Sequence, residues 1–361
     1  MDINEDFMSE TVEQPQNQPA PFTRLRALMF LVGTVAIGGL VIVLITWWVI
    51  GSAPRTNAIA VDETITVNEY MILPDDDAYP AALAIADDGT LYTGSYKTGV
   101  IWSISSDGII TELADTRDLI GAVSGLDIAP DGALIILDRV DALDAKGAII
   151  WRYTDGVLSS LVTIPFDKTI GVVLPDDIAV DGPGYIYVTD RDPARVWRYS
   201  ADGVNQGIWW TPPIASDGTA DAPTGLAYDS LNDAIVITGS EQDTIYRVSA
   251  TSADLSESLD NTEILYVDTQ ANGYSLDGVT VTASGEIYVA LLNWNRVARL
   301  NEGELLMLAR DFRGSSDVAY DAEKDALFVT NWNQFSLGFG TSPQLPFALD
   351  IVDLSPDTIA E

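Results

Sequence analysis

Residues 174–210 show the clearest alternation of apolar and polar positions in the chain. Short alternating runs rich in Val, Ile, Tyr and Trp are separated by Asp, Gly and Pro, and these runs are 177–180, 185–189, 195–199 and 204–210. Alternation with a period of two between such turns predicts four antiparallel strands joined by hairpins. A single four-stranded sheet cannot bury both of its faces, so it needs further sheets to pack against.

The same strand–turn–strand pattern occurs six times. The residues in the first turn of each copy are Gly89, Gly132, Gly184, Asp233, Gly285 and Asp325. Repeats of about 40–50 residues with four strands each are typical of propeller blades, whereas a β-sandwich would not repeat one pattern six times. The sequence therefore predicts an all-β, six-bladed β-propeller with blades that begin near residues 80, 123, 174, 222, 275 and 314.

The two ends of the predicted propeller complement each other. The last repeat provides only three strands, while residues 64–73 form a predicted strand with no blade of its own. We therefore expect the N-terminal strand to complete the sixth blade and close the ring, which removes exposed sheet edges. The propeller would cover residues 64–354, and residues 355–361 would form a C-terminal tail.

An uncharged apolar segment precedes the propeller. Residues 27–50 carry no charge, and a helix of this length, rising 1.5 Å per residue, spans the ~30 Å hydrocarbon core of a bilayer. Trp47 and Trp48 lie at its outer end, where aromatic side chains anchor helices at the interface. The alternative is a cleaved signal peptide, although its apolar core has only about 7–15 residues. We predict one transmembrane helix at residues 27–50 and a linker at residues 51–63.

The flanking charges predict the orientation of this helix. Arg24 and Arg26 come directly before it and Arg55 alone follows it, so the positive-inside rule places the N-terminus in the cytoplasm. Residues 1–26 are acidic and rich in Pro and Gln, which predicts a disordered cytoplasmic tail. The expected location is the cell membrane, with a single pass and an extracytoplasmic propeller.

The composition excludes several kinds of chemistry. The formal net charge is −36, and so acidic a chain repels phosphate backbones, so nucleic-acid binding is not expected. The acidity fits either solvation of the surface or binding of cations and basic partners. The absence of His and Cys leaves no imidazole base, no thiol nucleophile and no Ser-His-Asp triad. The remaining oxygen ligands suit Ca²⁺ or Mg²⁺ rather than zinc or copper.

The candidate site residues fall at one end of the predicted propeller. The innermost strand of each blade begins at the mouth of the central channel, and Asp176, Thr224 and Asp277 occupy that position in three blades. Loops between second and third strands open at the same end. Those loops supply candidate ligand or partner contacts, namely Arg139, Arg191, Asn293, Trp294, Asn295, Asn331, Trp332 and Asn333.

The repeats also carry a family resemblance. The segment LPDDIAVDGPGYIYVTDRDPARVWRYSADG resembles an NHL repeat, and APTGLAYDS and LDGVTVTASGEIYVA are similar to the gluconolactonase and senescence-marker-protein family. This resemblance covers roughly residues 79–354 and implies a lactonase-type site that holds one divalent cation, often Ca²⁺.

The resemblance transfers to this chain only in part. Asp277 matches the family's Asp-Gly aspartate, Asp176 stands where one Asn is expected, and Thr224 replaces the principal Asn. The family's Glu is missing, since Pro80 or Ala81 occupies its place. Fewer charged ligands weaken a site for a hard cation.

Two functions therefore remain open. In the leading hypothesis the propeller is a membrane-anchored binding or scaffold module that presents its channel mouth to an unknown protein or small-molecule ligand. In the alternative it is a lactonase or esterase with a degenerate metal site, in which Asp176 and Asp277 are catalytic and Ca²⁺, Mg²⁺ or Mn²⁺ polarises the substrate. No organic cofactor is expected, because the chain has no Gly-rich phosphate loop and no suitable Lys.

Overall fold

The computed structural model describes residues 24–51, 54–215 and 218–355, and the chain divides into an N-terminal unit of residues 1–52 and a second unit of residues 53–361. The first unit contains helix α1 (Arg24–Gly51), which is long and apolar enough to cross a bilayer, as a membrane anchor or a signal sequence would be. Trp48 is exposed. Most of the predicted tail, residues 1–23, lies outside the described residues, as do the side chain of Trp47 and residues 356–361.

The second unit is a six-bladed β-propeller, which confirms the predicted fold class. Two strands precede the blades, β1 (Ile59–Ala60) and β2 (Thr66–Ile72). Blade 1 contains β3 (Pro80–Ile85), β4 (Leu91–Ser95), β5 (Ile101–Ile104) and β6 (Ile110–Glu112), and blade 2 contains β7 (Val123–Ile128), β8 (Leu134–Asp138), β9 (Ala148–Thr154) and β10 (Val157–Ile164). Blade 3 contains β11 (Pro175–Val180), β12 (Ile186–Arg191), β13 (Ala194–Tyr199) and β14 (Asn205–Trp210).

The second half of the ring follows the same scheme. Blade 4 contains β15 (Pro223–Asp229), β16 (Ala234–Gly239), β17 (Thr244–Ser249) and β18 (Thr262–Val267). Blade 5 contains β19 (Leu276–Val281), β20 (Ile287–Leu291), β21 (Arg296–Asn301) and β22 (Glu304–Arg310), and blade 6 contains β23 (Val318–Asp321), β24 (Ala326–Val329) and β25 (Ala348–Asp353). Short helices lie in three connections, as α2 (Thr116–Leu119), α3 (Leu255–Asp260) and α4 (Gln334–Phe339).

Both N-terminal strands join blades from the far end of the chain. Strand β2 pairs antiparallel with β25 and is the outermost strand of blade 6, the place assigned to residues 64–73. Strand β1 pairs with β22 as a fifth strand of blade 5, through Ile59 opposite Arg310 and Ala60 opposite Ala309. Residues 59–60, which fall within the predicted linker of residues 51–63, thus form a short strand of blade 5. The extra strand satisfies backbone groups at the outer edge of blade 5.

The core lies between adjacent blades. Side chains alternate between the two faces of each strand, and both faces of a middle strand meet a neighbouring blade. All six residues of β16 are consequently buried. Between blades 2 and 3, Ile135, Ile178 and Trp197 belong to one buried cluster. Trp210 of β14 packs into the next cluster, between blades 3 and 4.

The topology gives the propeller two distinct ends. The innermost strands β3, β7, β11, β15, β19 and β23 all begin at one end, which we call the mouth end. Connections from the second to the third strand, and from each blade to the next, also lie there. The opposite end carries the hairpin turns, and Gly89 and Gly132 have φ values of 79° and 83° in two of them. Such left-handed turn positions favour glycine.

Candidate functional site

The mouth of the central channel is a small, partly open cavity of about 20 Å³. Its lining comes from five blades and consists of Ala81, Tyr96, Ser124, Asp176, Asp177, Asp277, Gly278, Ser316, Asp317 and Trp332. We refer to this set as the mouth.

An irregularity at the start of the innermost strands positions these side chains. The pairing of β11 with β12 shifts between Pro175 and Ile178, and that of β19 with β20 shifts between Leu276 and Val279. Such a shift releases consecutive residues from the regular ladder and re-aims their side chains. Gly278 follows Asp277 because a Cβ there would overlap the carboxylate of Asp317 in the next blade. The fold thereby brings Asp176 and Asp277 to the mouth.

A guanidinium lies beside these two carboxylates. Nη1 of Arg191 is 3.7 Å from Oδ2 of Asp176, and its Nη2 donates to the hydroxyl of Ser240 at 3.3 Å. Burial raises the pKa of Asp277 well above its ordinary range, and the negative charge of Asp176 raises it further, while Arg191 opposes both. The two carboxylates in turn raise the pKa of Arg191, Asp176 most strongly. Arg191 therefore offsets part of the negative charge of the pair.

Aromatic side chains form another wall of the mouth. The rings of Tyr96 and Trp332 meet edge to face, with their centres 4.8 Å apart. Nη1 of Arg139 donates to the hydroxyl of Tyr96, and its guanidinium lies 5.2 Å from the centre of the Tyr96 ring. Burial raises the pKa of Tyr96 to about 12, so the phenol stays neutral. The indole N–H of Trp332 is buried and has no hydrogen-bond partner among the described residues.

Thr224 makes different contacts from those expected of a metal ligand. Its hydroxyl donates to the carbonyl of Leu276 in blade 5 at 2.8 Å and lies 3.1 Å from the hydroxyl of Thr238. Only 1% of the residue is exposed. The hydroxyl therefore joins blades 4 and 5 and does not face the mouth beside Asp176 and Asp277.

Three of the candidate asparagines hold loops in place. Oδ1 of Asn331 accepts from the backbone N–H of Arg313 at 2.7 Å, and its Nδ2 donates to Ala348 at 3.0 Å. Oδ1 of Asn295 accepts from Gly314 at 2.8 Å. Asn333, which precedes α4, accepts from the backbone N–H of Gln344 at 3.2 Å. Their amides are thus engaged with backbone groups.

The remaining pair of candidates lies on the surface of blade 5. Trp294 is 39% exposed, and its indole N–H donates to the carbonyl of Asn272 at 3.2 Å. Its ring packs against Tyr274 and lies under the guanidinium of Arg296. Nδ2 of Asn293 donates to Gly273 at 3.4 Å. Trp294 and Asn293 are therefore separate from the residues that line the mouth.

Three further aspartates join neighbouring blades along the channel, and two of them, Asp177 and Asp317, also line the mouth. Asp127 accepts from the backbone N–H groups of Ile128 and Val180, both at 2.7 Å. Asp177 accepts from Ile178 and Leu226, both at 2.8 Å. We refer to Asp127, Asp177 and Asp317 as the channel aspartates.

The third channel aspartate joins the last blade to the first. Asp317 accepts from Val318 at 2.8 Å and from Leu83 at 2.7 Å. Burial raises the pKa of Asp127 to about 6 and that of Asp317 to about 7, the latter with a contribution from the charge of Asp127. Burial also raises the pKa of Asp177 well above its usual value. Sequence reasoning missed this role, because one of the two N–H donors to each aspartate belongs to the next blade.

The residues present do not fit a divalent cation. Within the described ranges no three acidic side chains form a group that could hold a metal ion. The channel aspartates already accept backbone hydrogen bonds, and Thr224 bonds to Leu276. The positive charge beside Asp176 comes from Arg191. A hard cation needs six or more oxygen ligands, which this arrangement does not offer.

No protein-family model matches the chain, and no curated protein matches it in sequence. Solved structures do match in fold. A gluconolactonase from Xanthomonas campestris aligns with a TM-score of 0.57 and 16% identity over 84% of this chain and 99% of its own. The calcium-binding protein regucalcin from Agrobacterium tumefaciens aligns with a TM-score of 0.52 and 13% identity, over 77% of this chain and 93% of its own. A virginiamycin B lyase from Staphylococcus aureus aligns with a TM-score of 0.52 and 19% identity, over 74% of this chain and 83% of its own.

These similarities define the class of the protein. The chain is a six-bladed β-propeller of the architecture found in gluconolactonases, regucalcin and streptogramin B lyases. The identities are too low to transfer an activity. The function must therefore be argued from the mouth itself.

Proposed function

We propose that the protein is a membrane-anchored, extracytoplasmic binding module whose channel mouth receives a polar ligand. Helix α1 supplies the anchor. Arg24 and Arg26 in its first turn, against Arg55 after its end, favour a cytoplasmic N-terminus. The ligand is a small polar molecule or an exposed loop of a partner protein.

The observation that carries this proposal is the guanidinium of Arg191 beside Asp176 and Asp277. A charged pair at a cavity mouth offers both donors and acceptors to a ligand, and these groups stay partly solvated. Arg191 and Asp176 have side chains that are 36% and 17% exposed. An incoming polar group can therefore exchange with water at this pair without leaving a buried charge unpaired.

The aromatic wall adds a second recognition element. The indole N–H of Trp332 is buried without a partner, and a buried donor of this kind costs about 1–3 kcal/mol until it is satisfied. A ligand that brings a carbonyl or hydroxyl oxygen to this N–H recovers that free energy. The Tyr96 and Trp332 rings would cover an apolar part of the same ligand.

A second candidate function is hydrolysis of a lactone or ester at the same mouth. It is favoured by Asp277, whose pKa is raised by burial and by the neighbouring carboxylate of Asp176. A carboxylic acid that holds its proton above the ordinary range can act as a general acid. The structural similarity to gluconolactonases supports this candidate, while the poor fit to a metal ion argues against the cation-dependent form.

A thermal-melt screen of the exported domain tests both candidates. The panel contains sugars, lactones, aryl esters and short peptides, with Ca²⁺, Mg²⁺ and Mn²⁺ measured separately. A ligand at a hundredfold excess over its Kd adds about 2.7 kcal/mol to the free energy of unfolding. We expect a polar compound to raise the Tm of the wild type, and we expect the three cations to leave it unchanged.

Matched variants locate the binding and separate the candidates. Arg191→Met and Trp332→Phe should remove the Tm increase, whereas Asn293→Ala on the separate surface of blade 5 should keep it. Turnover of a lactone or ester that is lost in Asp277→Asn would favour the hydrolase. A Tm increase with Ca²⁺ that disappears in Asp277→Asn would show that a cation site forms despite Arg191.

A further inference from the structure

The chain enters the propeller at its mouth end. The backbone N–H of Thr56 donates to Oε1 of Gln344 at 3.0 Å, and its carbonyl accepts from Nη1 of Arg313 at 2.7 Å. Arg55 donates to the carbonyl of Pro346 at 3.3 Å and pairs with Glu69. Gln344 and Pro346 belong to the connection between β24 and β25, and Arg313 to the connection from blade 5 to blade 6. Both connections lie at the mouth end.

The chain between the apolar helix and this attachment is short. Thr56 is five residues after Gly51, the last residue of α1, so the two residues are separated by at most about 18 Å. The apolar span ends at Thr46, and the remaining turn of helix covers about 7 Å, which is the thickness of one headgroup layer. Thr56 therefore stays within about 18 Å of the surface of any bilayer that α1 spans.

The opposite end of the propeller is much farther from Thr56, by the length of a strand. Strand β22, which pairs with β1, is seven residues long and extends about 23 Å from one end to the other. The covalent connection therefore favours contact between the bilayer and the mouth end, and it disfavours contact with the hairpin turns.

The connection between β24 and β25, which binds Arg55 and Thr56, also exposes a pair of large apolar side chains. Helix α4 directs Leu337 toward a buried cluster and leaves Phe335 and Phe339 on its outer face. These two rings are 53% and 65% exposed and stack with their centres 6.3 Å apart. Exposed aromatic pairs on a helix are suited to the membrane interface.

Other connections at the mouth end add isolated apolar side chains. Leu143, Phe166 and Ile170 are 69%, 54% and 65% exposed. Three of the four lysines, Lys97, Lys146 and Lys168, are also there, each paired with a nearby aspartate. These pairs reduce the negative charge that this end presents to lipid phosphates.

We propose that the mouth end docks on the bilayer surface, with Phe335 and Phe339 inserted into the lipid interface. The proposal rests on α1 remaining as the membrane anchor, as in the proposed function. It implies that the mouth receives its ligand at the membrane surface, from a lipid-associated molecule or a membrane-bound partner, and not from the bulk solution.

The absence of native cysteine allows a direct test with single-cysteine variants. The full-length chain is reconstituted into phosphatidylcholine liposomes, with the polarity-sensitive fluorophore NBD attached at Phe339→Cys or Ile170→Cys. The matched controls at the opposite end are Val157→Cys, at the first residue of β10, and Leu231→Cys, in the turn between β15 and β16. Each of these side chains is 61% exposed. The quencher is a nitroxide carried on the lipid.

We expect the label at residue 339 to shift to the blue and to lose about half of its fluorescence to the lipid quencher, as an interfacial side chain would. The labels at residues 157 and 231 should keep theirs. Equal quenching at both ends, stronger quenching at residue 231, or no quenching at residue 339 would each overturn the proposal.

A second variant shows whether the phenylalanines cause the docking. Phe335→Ser with Phe339→Ser should weaken quenching of the label at residue 170 while the Tm stays unchanged, because both side chains are exposed. Unchanged quenching would overturn their role. Flotation of the liposomes reports the anchor and the melt screen reports ligand binding, so failure of the docking is distinguishable from failure of the proposed function.

Discussion

Aspartate serves two purposes in the channel of this propeller. The channel aspartates accept backbone hydrogen bonds that join blades, whereas the mouth pair, Asp176 and Asp277, faces the opening. Asp176 and Asp177 are consecutive in sequence. The carboxylate of Asp177 accepts two backbone hydrogen bonds, one of them from the next blade, while that of Asp176 faces Arg191 at the mouth. The first belongs to the architecture, and the second is available to a ligand.

The difference arises from the inner edge of each blade. The first strand has no partner on its channel side, so its N–H groups would lie unpaired along the channel. Asp127, Asp177 and Asp317 supply acceptors for six of these groups. The mouth pair lies just beyond this edge, and its carboxylates accept no hydrogen bond within the described part of the chain. An acidic channel is therefore partly structural.

The largest expected effect comes from Asp317→Ala. It leaves the N–H groups of Leu83 and Val318 without their acceptor at the junction of the last and first blades, and we expect a loss of about 2–4 kcal/mol in the free energy of unfolding. Asp277→Asn at the mouth should change it by less than about 1 kcal/mol, because a like charge near Asp176 is removed. Urea denaturation measures both. Equal losses in the two variants would contradict the distinction drawn above.

The pH dependence of stability should be dominated by the channel aspartates. The folded-state pKa values are about 6 for Asp127 and about 7 for Asp317, above the ordinary value of about 3.9 in the unfolded chain. The folded state therefore binds these protons more tightly, so the stabilisation is full below about pH 4 and is lost as the pH rises through 6 and 7.

We expect the free energy of unfolding to fall between pH 5 and 8 by an amount on the order of 4 kcal/mol. Denaturation at a series of pH values checks this, and Asp127→Asn should flatten the profile. The exposed Asp107→Asn serves as the control and should leave the slope as it is. If stability increased over this range, the backbone N–H donors would lower the pKa of these aspartates by more than burial raises it.

The smallest expected effect concerns Thr224, the residue that resemblance places in a metal site. Thr224→Val removes the hydroxyl that donates to Leu276, and we expect a loss of about 1 kcal/mol with no change in ligand affinity at the mouth. Denaturation and the ligand-induced melt measure the two quantities. If ligand affinity fell while stability was unchanged, Thr224 would belong to the site after all.

The sequence predicted the repeating architecture because each blade is a local unit. Alternation and turn residues act over a few positions, so the six blades could be recognised one at a time. The place of β2 followed from counting strands. Strand β1 could not be found in this way, because a run of two residues carries no periodic signal. Its partners, Arg310 and Ala309, lie some 250 residues later in the chain.

The sequence by itself thus determined the propeller, the apolar helix and the acidic, cysteine-free character of the chain. It also placed Asp176 and Asp277 at one end of the channel. Only the tertiary structure decided what each polar group contacts. The Asp277 carboxyl that shares the mouth with Arg191, the Leu276 acceptor of the Thr224 hydroxyl and the Leu83 donor to Asp317 all come from other blades. Charge balance and hydrogen bonding across a ring depend on residues that are distant in sequence, whereas strand patterns depend on neighbours.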